Sequence, residues 1–116
     1  MERVLIVDDD QEDLDAMQAI LEKNGYGVIT ATDGAQALDA LVGDGFGLIL
    51  LDIQMPTLSG YDLLRLLREK INHHAKMVYV SIVPEKEVDL NDADGFIQKP
   101  FSPEDFLEGI KKALAK

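Results

Sequence analysis

Two apolar runs in this chain stop abruptly on acids, and few folds accommodate that pattern. Val4-Leu5-Ile6-Val7 runs into Asp8-Asp9-Asp10, and Phe46 to Leu51, the most apolar stretch, runs into Asp52. A short β-branched run without polar alternation is the pattern of a strand covered on both faces. Such strands belong to parallel sheets, and between them this chain switches to a helical period. Leu14, Met17, Ile20 and Leu21 fall on one stripe between Glu12 and Asn24, with Asn24-Gly25 as the stop. Tyr26 to Ala31 is strand-like; Ala35, Leu38, Leu41 and Val42 make a second helix closed by Gly43. After the loop from Met55-Pro56 to Ser59-Gly60 comes a helix with Leu63, Leu64, Leu66 and Leu67, and then a strand over Lys76 to Ile82. A short fifth strand centres on Phe96-Ile97. Ser102-Pro103-Glu104-Asp105 is a helix start, leading into a stripe of Phe106, Leu107, Ile110 and Leu114.

Strands alternating with helices predict right-handed crossovers and an α/β fold, an open parallel sheet with helices on both faces. One crossover is irregular. The twelve residues Val83 to Asp94 offer only Val83, Val88, Leu90 and Ala93 as apolar positions, so at most a turn or two of helix is expected from Pro84. A length of 116 residues suits one domain with one core.

In such a sheet, ligands bind beyond the carboxyl ends of the strands, where the strand order reverses. Asp8, Asp9 and Asp10 sit at one carboxyl end and Asp52 at another, converging if the two strands are neighbours. Carboxylates that close need a cation, and oxygen donors suit Mg2+. Ser81 late in the fourth strand and Lys99 after the fifth add a hydroxyl and a fixed positive charge. Together these are the parts of a phosphoryl-transfer site: metal ligands, nucleophile, hydrogen-bond donor and counter-charge. Asp10 taken alone reads as the cap of the first helix. The adjacent His73-His74 read as solvated loop residues.

The net charge of −11 argues against direct nucleic acid binding and against an anionic membrane surface. With no cysteine, disulfides and thiolate chemistry are excluded. No apolar run approaches the roughly 20 residues of a membrane span, and no signal peptide fits before Asp8, so a cytoplasmic location is expected.

The same residues carry a resemblance. Val4 to Asp10, Leu50-Leu51-Asp52-Ile53-Gln54-Met55-Pro56 with Gly60, Ser81, and Lys99-Pro100-Phe101 resemble the CheY-like receiver domain of response regulators in two-component signalling, over essentially the whole of residues 1–116. The resemblance implies a doubly wound, flavodoxin-like, five-stranded parallel sheet in the order 2-1-3-4-5, here with a shortened or missing fourth helix. It implies that Asp52 is the phosphoacceptor, taking a phosphoryl group from a sensor histidine kinase or a histidine phosphotransfer protein. Asp9, Asp52 and the backbone carbonyl of Gln54 would hold Mg2+, with Asp8 assisting. Ser81 and Lys99 would bind the phosphoryl group, Ser81 and Phe96 would form the switch, and the Lys99-Pro100 peptide would be cis. A downstream protein target and a phosphorylation-dependent dimer are the partners it brings, and the chain would act as a phosphoryl acceptor rather than an enzyme.

Other classes fit less well. A hydrolase of the haloacid dehalogenase group would use Asp8 and Asp10 but needs a longer chain and gives Asp52 no role. A flavin module wants hydroxyls and glycines after the first strand, not three acids. A pseudo-receiver, a phosphorylation-independent interaction module, would not need Asp9, Asp52, Ser81 and Lys99 together. The chain ends with the last helix at Ala115-Lys116, so readout by a partner protein is expected, whether it stands alone or is cut from a longer regulator.

Three positions and one crossover length depart from the family pattern. Ile82 replaces a small residue and is expected to crowd the phosphoryl pocket, Ser81 replaces threonine, and the crossover to Lys99 is short. Val83, two residues beyond Ser81, cannot orient water, and Gln54 has no basic group to activate one. A phospho-aspartate that persists is therefore expected. Val83→Glu should shorten its lifetime in a decay assay; an unchanged lifetime would count against this origin of persistence.

Overall fold

The computed structural model describes residues 3–41, 45–56, 58–70 and 75–116. The predicted helix end at Val42-Gly43 and the pair His73-His74 lie outside the described residues. Five strands, β1 (Arg3–Val7), β2 (Gly27–Ala31), β3 (Phe46–Leu51), β4 (Lys76–Ser81) and β5 (Gly95–Gln98), alternate with α1 (Gln11–Lys23), α2 (Gly34–Ala40) and α3 (Gly60–Lys70) and end on α4 (Pro103–Leu114). The sheet is parallel, in the order β2-β1-β3-β4-β5. Strand order therefore reverses between β1 and β3, and Val7 lies in register with Leu51 there.

The period of two in the central strands divides the core into two layers. Leu5, Val7, Ile49, Leu51, Met77 and Tyr79 face one side with Leu63, Leu64 and Leu67 of α3. Val4, Ile6, Leu48, Leu50, Val78 and Val80 face the other with Leu14, Met17 and Leu21 of α1 and Phe106, Ile110 and Ala113 of α4. Each fully buried Leu or Ile contributes about 1.5–3 kcal/mol relative to exposure. Ile20, Leu107 and Leu114 flank these stripes half-buried rather than inside them.

Local signals set the helix starts. Asp10 caps α1, its carboxylate accepting from the backbone N–H of Glu12 at 2.9 Å. Asp33 caps α2 by accepting from Gln36 N–H at 2.8 Å, and Ser102 caps α4 by accepting from Asp105 N–H at 3.1 Å, with Pro103 opening the helix. Gly60 opens α3 where only glycine fits. A Cβ there would run into the Asp52 carbonyl oxygen and lie 2.8 Å from Ile53 Cα. That tight approach seats α3 against the end of β3, next to Asp52 itself.

The crossover from β4 to β5 holds a single 3-10 turn, Glu85–Glu87, in place of a helix. Val88, Leu90 and Ala93 pack half-buried on the core, and polar staples add to this. Arg68 of α3 donates to the Asp92 carbonyl at 3.2 Å and to the Asp94 carboxylate at 3.0 Å, and Asp94 also accepts from Met77 N–H at 2.8 Å. Tyr61 accepts from Asp89 N–H at 3.2 Å while its ring meets Tyr79 edge-on at 5.3 Å. No helix among the described residues is long and apolar enough to cross a membrane.

Candidate functional site

The site forms because the sheet's ladder runs one residue past β1 and β3. Asp8 N–H donates to the Ala31 carbonyl at 3.1 Å and Asp52 N–H to the Val7 carbonyl at 2.9 Å. Both side chains are thereby fixed at the carboxyl edge, where the strand order reverses. Asp8 is fully buried and Asp52 nearly so, whereas Asp9 is exposed. One carboxylate oxygen from each of the three lies within 4.8 Å of the others.

Lys99 enters this cluster from the end of β5. Its backbone N–H donates to the Ser81 carbonyl at 2.9 Å, and the Lys99–Pro100 peptide is cis. Its Nζ donates to Asp8 at 2.7 Å and to Asp13 at 2.8 Å, and lies 3.8 Å from Asp52. Only the first two are hydrogen bonds; the third is a Coulombic contact.

Electrostatics follow from this packing. Burial pushes the Asp52 carboxyl up to about 6, with Lys99 pulling it down, Asp8 pushing it up, the Gln54 N–H pulling it down and Asp9 pushing it up. The Gln54 N–H reaches an Asp52 oxygen at 3.2 Å. Burial also raises Asp8, against the pull of Lys99 and of the Asp10 N–H at 2.9 Å. Burial lowers the Lys99 ammonium, but the hydrogen bonds to Asp13 and Asp8, with the charges of Asp52 and Asp8, outweigh it and leave it above its ordinary value. The cluster thus carries more negative charge than its one ammonium neutralises. Hard oxygen donors with that deficit suit Mg2+.

The other residues take definite places. Ser81 is fully buried at the end of β4, its Oγ accepting from the Val83 N–H at 3.2 Å. Gln54 is exposed in the loop after Asp52. Phe96 is half-buried against the layer containing Tyr79, its partner in register. Asp10 faces its own helix as a cap and stands apart from the three-acid group. The predicted end of β4 is corrected by one residue: β4 stops at Ser81, so Ile82 leaves the sheet and is 64% exposed. It lines a cavity of about 320 Å³ with Asp13, Ala16, Lys99, Pro100 and Phe101, beside the acid cluster. Asp13 was not singled out by the sequence, because an acid in the first turn of a helix already has a reason to be there. Its spacing from the Asp10 cap, which turns it toward the sheet edge, is the signal that could have marked it.

A family model described as the response regulator receiver domain matches residues 4–111. The chain belongs to that family. This receiver domain is 36% identical, over 121 aligned residues, to the transcriptional regulatory protein CpxR of Escherichia coli K12, the match covering 100% of the chain and 50% of CpxR. The chain thus spans about half the length of the curated relatives it matches. The solved structure of the response regulator TrrA from Thermotoga maritima in complex with Mg2+-BeF matches with a TM-score of 0.86 at 29% identity, covering 98% of this chain and 100% of that one. TrrA in complex with the histidine kinase ThkA matches with a TM-score of 0.86 at 30% identity, covering 98% and 99%.

A carboxylate whose pKa is raised to about 6 on folding binds its proton more tightly in the folded state. Its contribution to stability is therefore largest at low pH and is lost as the pH rises from about 4 through 6. In the metal-free protein Asp52→Asn should gain about 1–2 kcal/mol at pH 7, a gain that fades as the pH falls toward 4. Urea unfolding with a chelator present measures both; a variant no more stable than wild type at pH 7 would contradict the electrostatics described.

Proposed function

We propose that residues 1–116 form the phosphoacceptor receiver of a histidine-to-aspartate phosphorelay, with Asp52 as the acceptor. The observation that carries this reading is the convergence of Asp8, Asp9 and Asp52 with Lys99 Nζ at the strand-order reversal. Asp9 and Asp52, with the Gln54 carbonyl, would hold Mg2+, with Asp8 assisting. Bound there, Mg2+ neutralises charge on the acids and on the incoming phosphoryl oxygens.

An Asp52 carboxylate oxygen attacks phosphorus, and the bond from phosphorus to the donor breaks. With a phosphohistidine donor the imidazole nitrogen leaves with that electron pair. Lys99, 3.8 Å from Asp52, stands close enough to pair with a phosphoryl oxygen there. Ser81 Oγ accepts from Val83, which leaves its hydroxyl hydrogen free to donate to the same group. Reaching it draws buried Ser81 toward the edge, and half-buried Phe96 on the neighbouring strand repacks in response. This is the switch, and the phosphoryl group drives it only through tighter binding to one of two conformations.

The donor is a sensor histidine kinase or a histidine phosphotransfer protein, a reading supported by the likeness to TrrA in its complex with ThkA. A downstream protein, or a second copy of the chain in a phosphorylation-dependent dimer, reads the state. The −11 charge favours neither direct nucleic acid binding nor a membrane surface, and the cytoplasm is the compartment that suits such a relay. The likeness to TrrA in complex with Mg2+-BeF supports a phosphorylatable receiver over a phosphorylation-independent interaction module.

Intact mass after incubation with Mg2+ and a small phosphodonor tests the reading. One phosphoryl adduct is expected, dependent on Mg2+ and absent from Asp52→Asn. An adduct that persists in Asp52→Asn, or none in a folded wild-type chain with Mg2+ bound, would overturn it.

A further inference from the structure

Lys99 is held by two acids, and one of them has no part in the metal cluster. Asp8 and Asp13 take its two hydrogen bonds at 2.7 and 2.8 Å, while Asp52 lies at 3.8 Å, outside hydrogen-bond reach. The three-acid group that suits a cation is Asp8, Asp9 and Asp52; Asp13 is absent from it. Asp8 therefore gains a second partner when a cation enters, and Asp13 does not. Among the described residues, Lys99 Nζ is the hydrogen-bond partner of the Asp13 carboxylate. The Asp13 side chain is 36% exposed, so it can be released into water at modest cost, whereas Lys99 at 8% cannot.

We propose that Asp13 is a positioning residue that holds Lys99 Nζ toward α1 in the unphosphorylated chain, so that Lys99 engages an anion on Asp52 by giving up Asp13. The inference rests on the proposed phosphoacceptor reading and deepens it. Of the three Nζ hydrogens Asp8 and Asp13 take two, so what an anion on Asp52 asks for is movement: Nζ must close the 3.8 Å gap, and the Asp13 carboxylate it leaves is solvated at the mouth of the site. Asp13 thus sets how strongly an anion must bind before Lys99 transfers, which tunes affinity and lifetime without touching the reacting atoms. It acts through Lys99, the hydrogen-bond partner of its carboxylate.

Beryllofluoride, a phosphoryl-like anion, is titrated at saturating Mg2+ into wild type, Asp13→Asn, Asp13→Ala and Glu12→Gln, with folding checked by circular dichroism. Glu12 lies in the same turn and is exposed, so Glu12→Gln removes one charge without touching Lys99. Both Asp13 variants should bind the anion about three- to tenfold more tightly than wild type, while Mg2+ affinity without the anion does not rise. Glu12→Gln should stay near wild type. Unchanged or weaker anion binding in the Asp13 variants, or an equal gain in Glu12→Gln, would overturn the role of Asp13 while leaving the phosphoacceptor reading standing. Wild type binding no beryllofluoride would instead overturn that reading, and this inference with it.

Discussion

The contact between Lys99 Nζ and the carboxylates of Asp8, Asp13 and Asp52 is the interaction on which the rest depends. Two strands buried on both faces deliver acids to one point, at which neither full solvation nor a dry neutral core is available. A carboxylate taken out of water without a partner costs several kcal/mol. One ammonium meets part of that cost, and the remaining charge is what makes the edge a site for Mg2+. The raised Asp52 and Asp8 carboxyls and the raised Lys99 ammonium express one imbalance from its two sides. Stability is given up at this edge, and the charge left over there suits a cation.

The fold limits where this imbalance sits. Both apolar layers run unbroken beneath the site, so the cost falls on a sheet whose centre is otherwise saturated with packing. The crossover between β4 and β5 is economical by comparison. Where a helix would bury an apolar face, this chain uses one 3-10 turn, the half-buried Val88, Leu90 and Ala93, the Arg68–Asp94 pair and the Tyr61 hydroxyl. The pair and the hydroxyl are polar and partly exposed, so each adds little stability on its own.

Much of this was legible in the residues, and where it was not the reason is physical. The β1 and β3 runs could be read because a strand covered on both faces tolerates no polar position. Asp10 as a cap and Ser102-Pro103 as a helix start could be read because local hydrogen bonding alone decides them. Phe106 and Ile110 proved buried, but Leu107 and Leu114 only half so, because Ala113 takes the inner position that periodicity alone assigned to a larger residue. The end of β4 was misjudged by one residue, since Ile82 is as good a strand former as Val80 and only the tertiary edge shows that it leaves the sheet. Asp13 was missed for a related reason. Its spacing from the Asp10 cap sets which way it faces, but the partner it meets lies 86 residues away and is brought there only by the fold.

Thermal or urea unfolding of Lys99→Met, with chelator and then with saturating Mg2+, tests most directly whether the lysine is the counter-charge of a metal-binding acid cluster. Without metal the variant should lose about 3 kcal/mol at pH 7, because three acids then share no cation. Mg2+ should recover most of that difference by taking the lysine's electrostatic place. A loss of equal size with and without Mg2+ would contradict this, and would make Lys99 a packing residue rather than the charge around which the site is built.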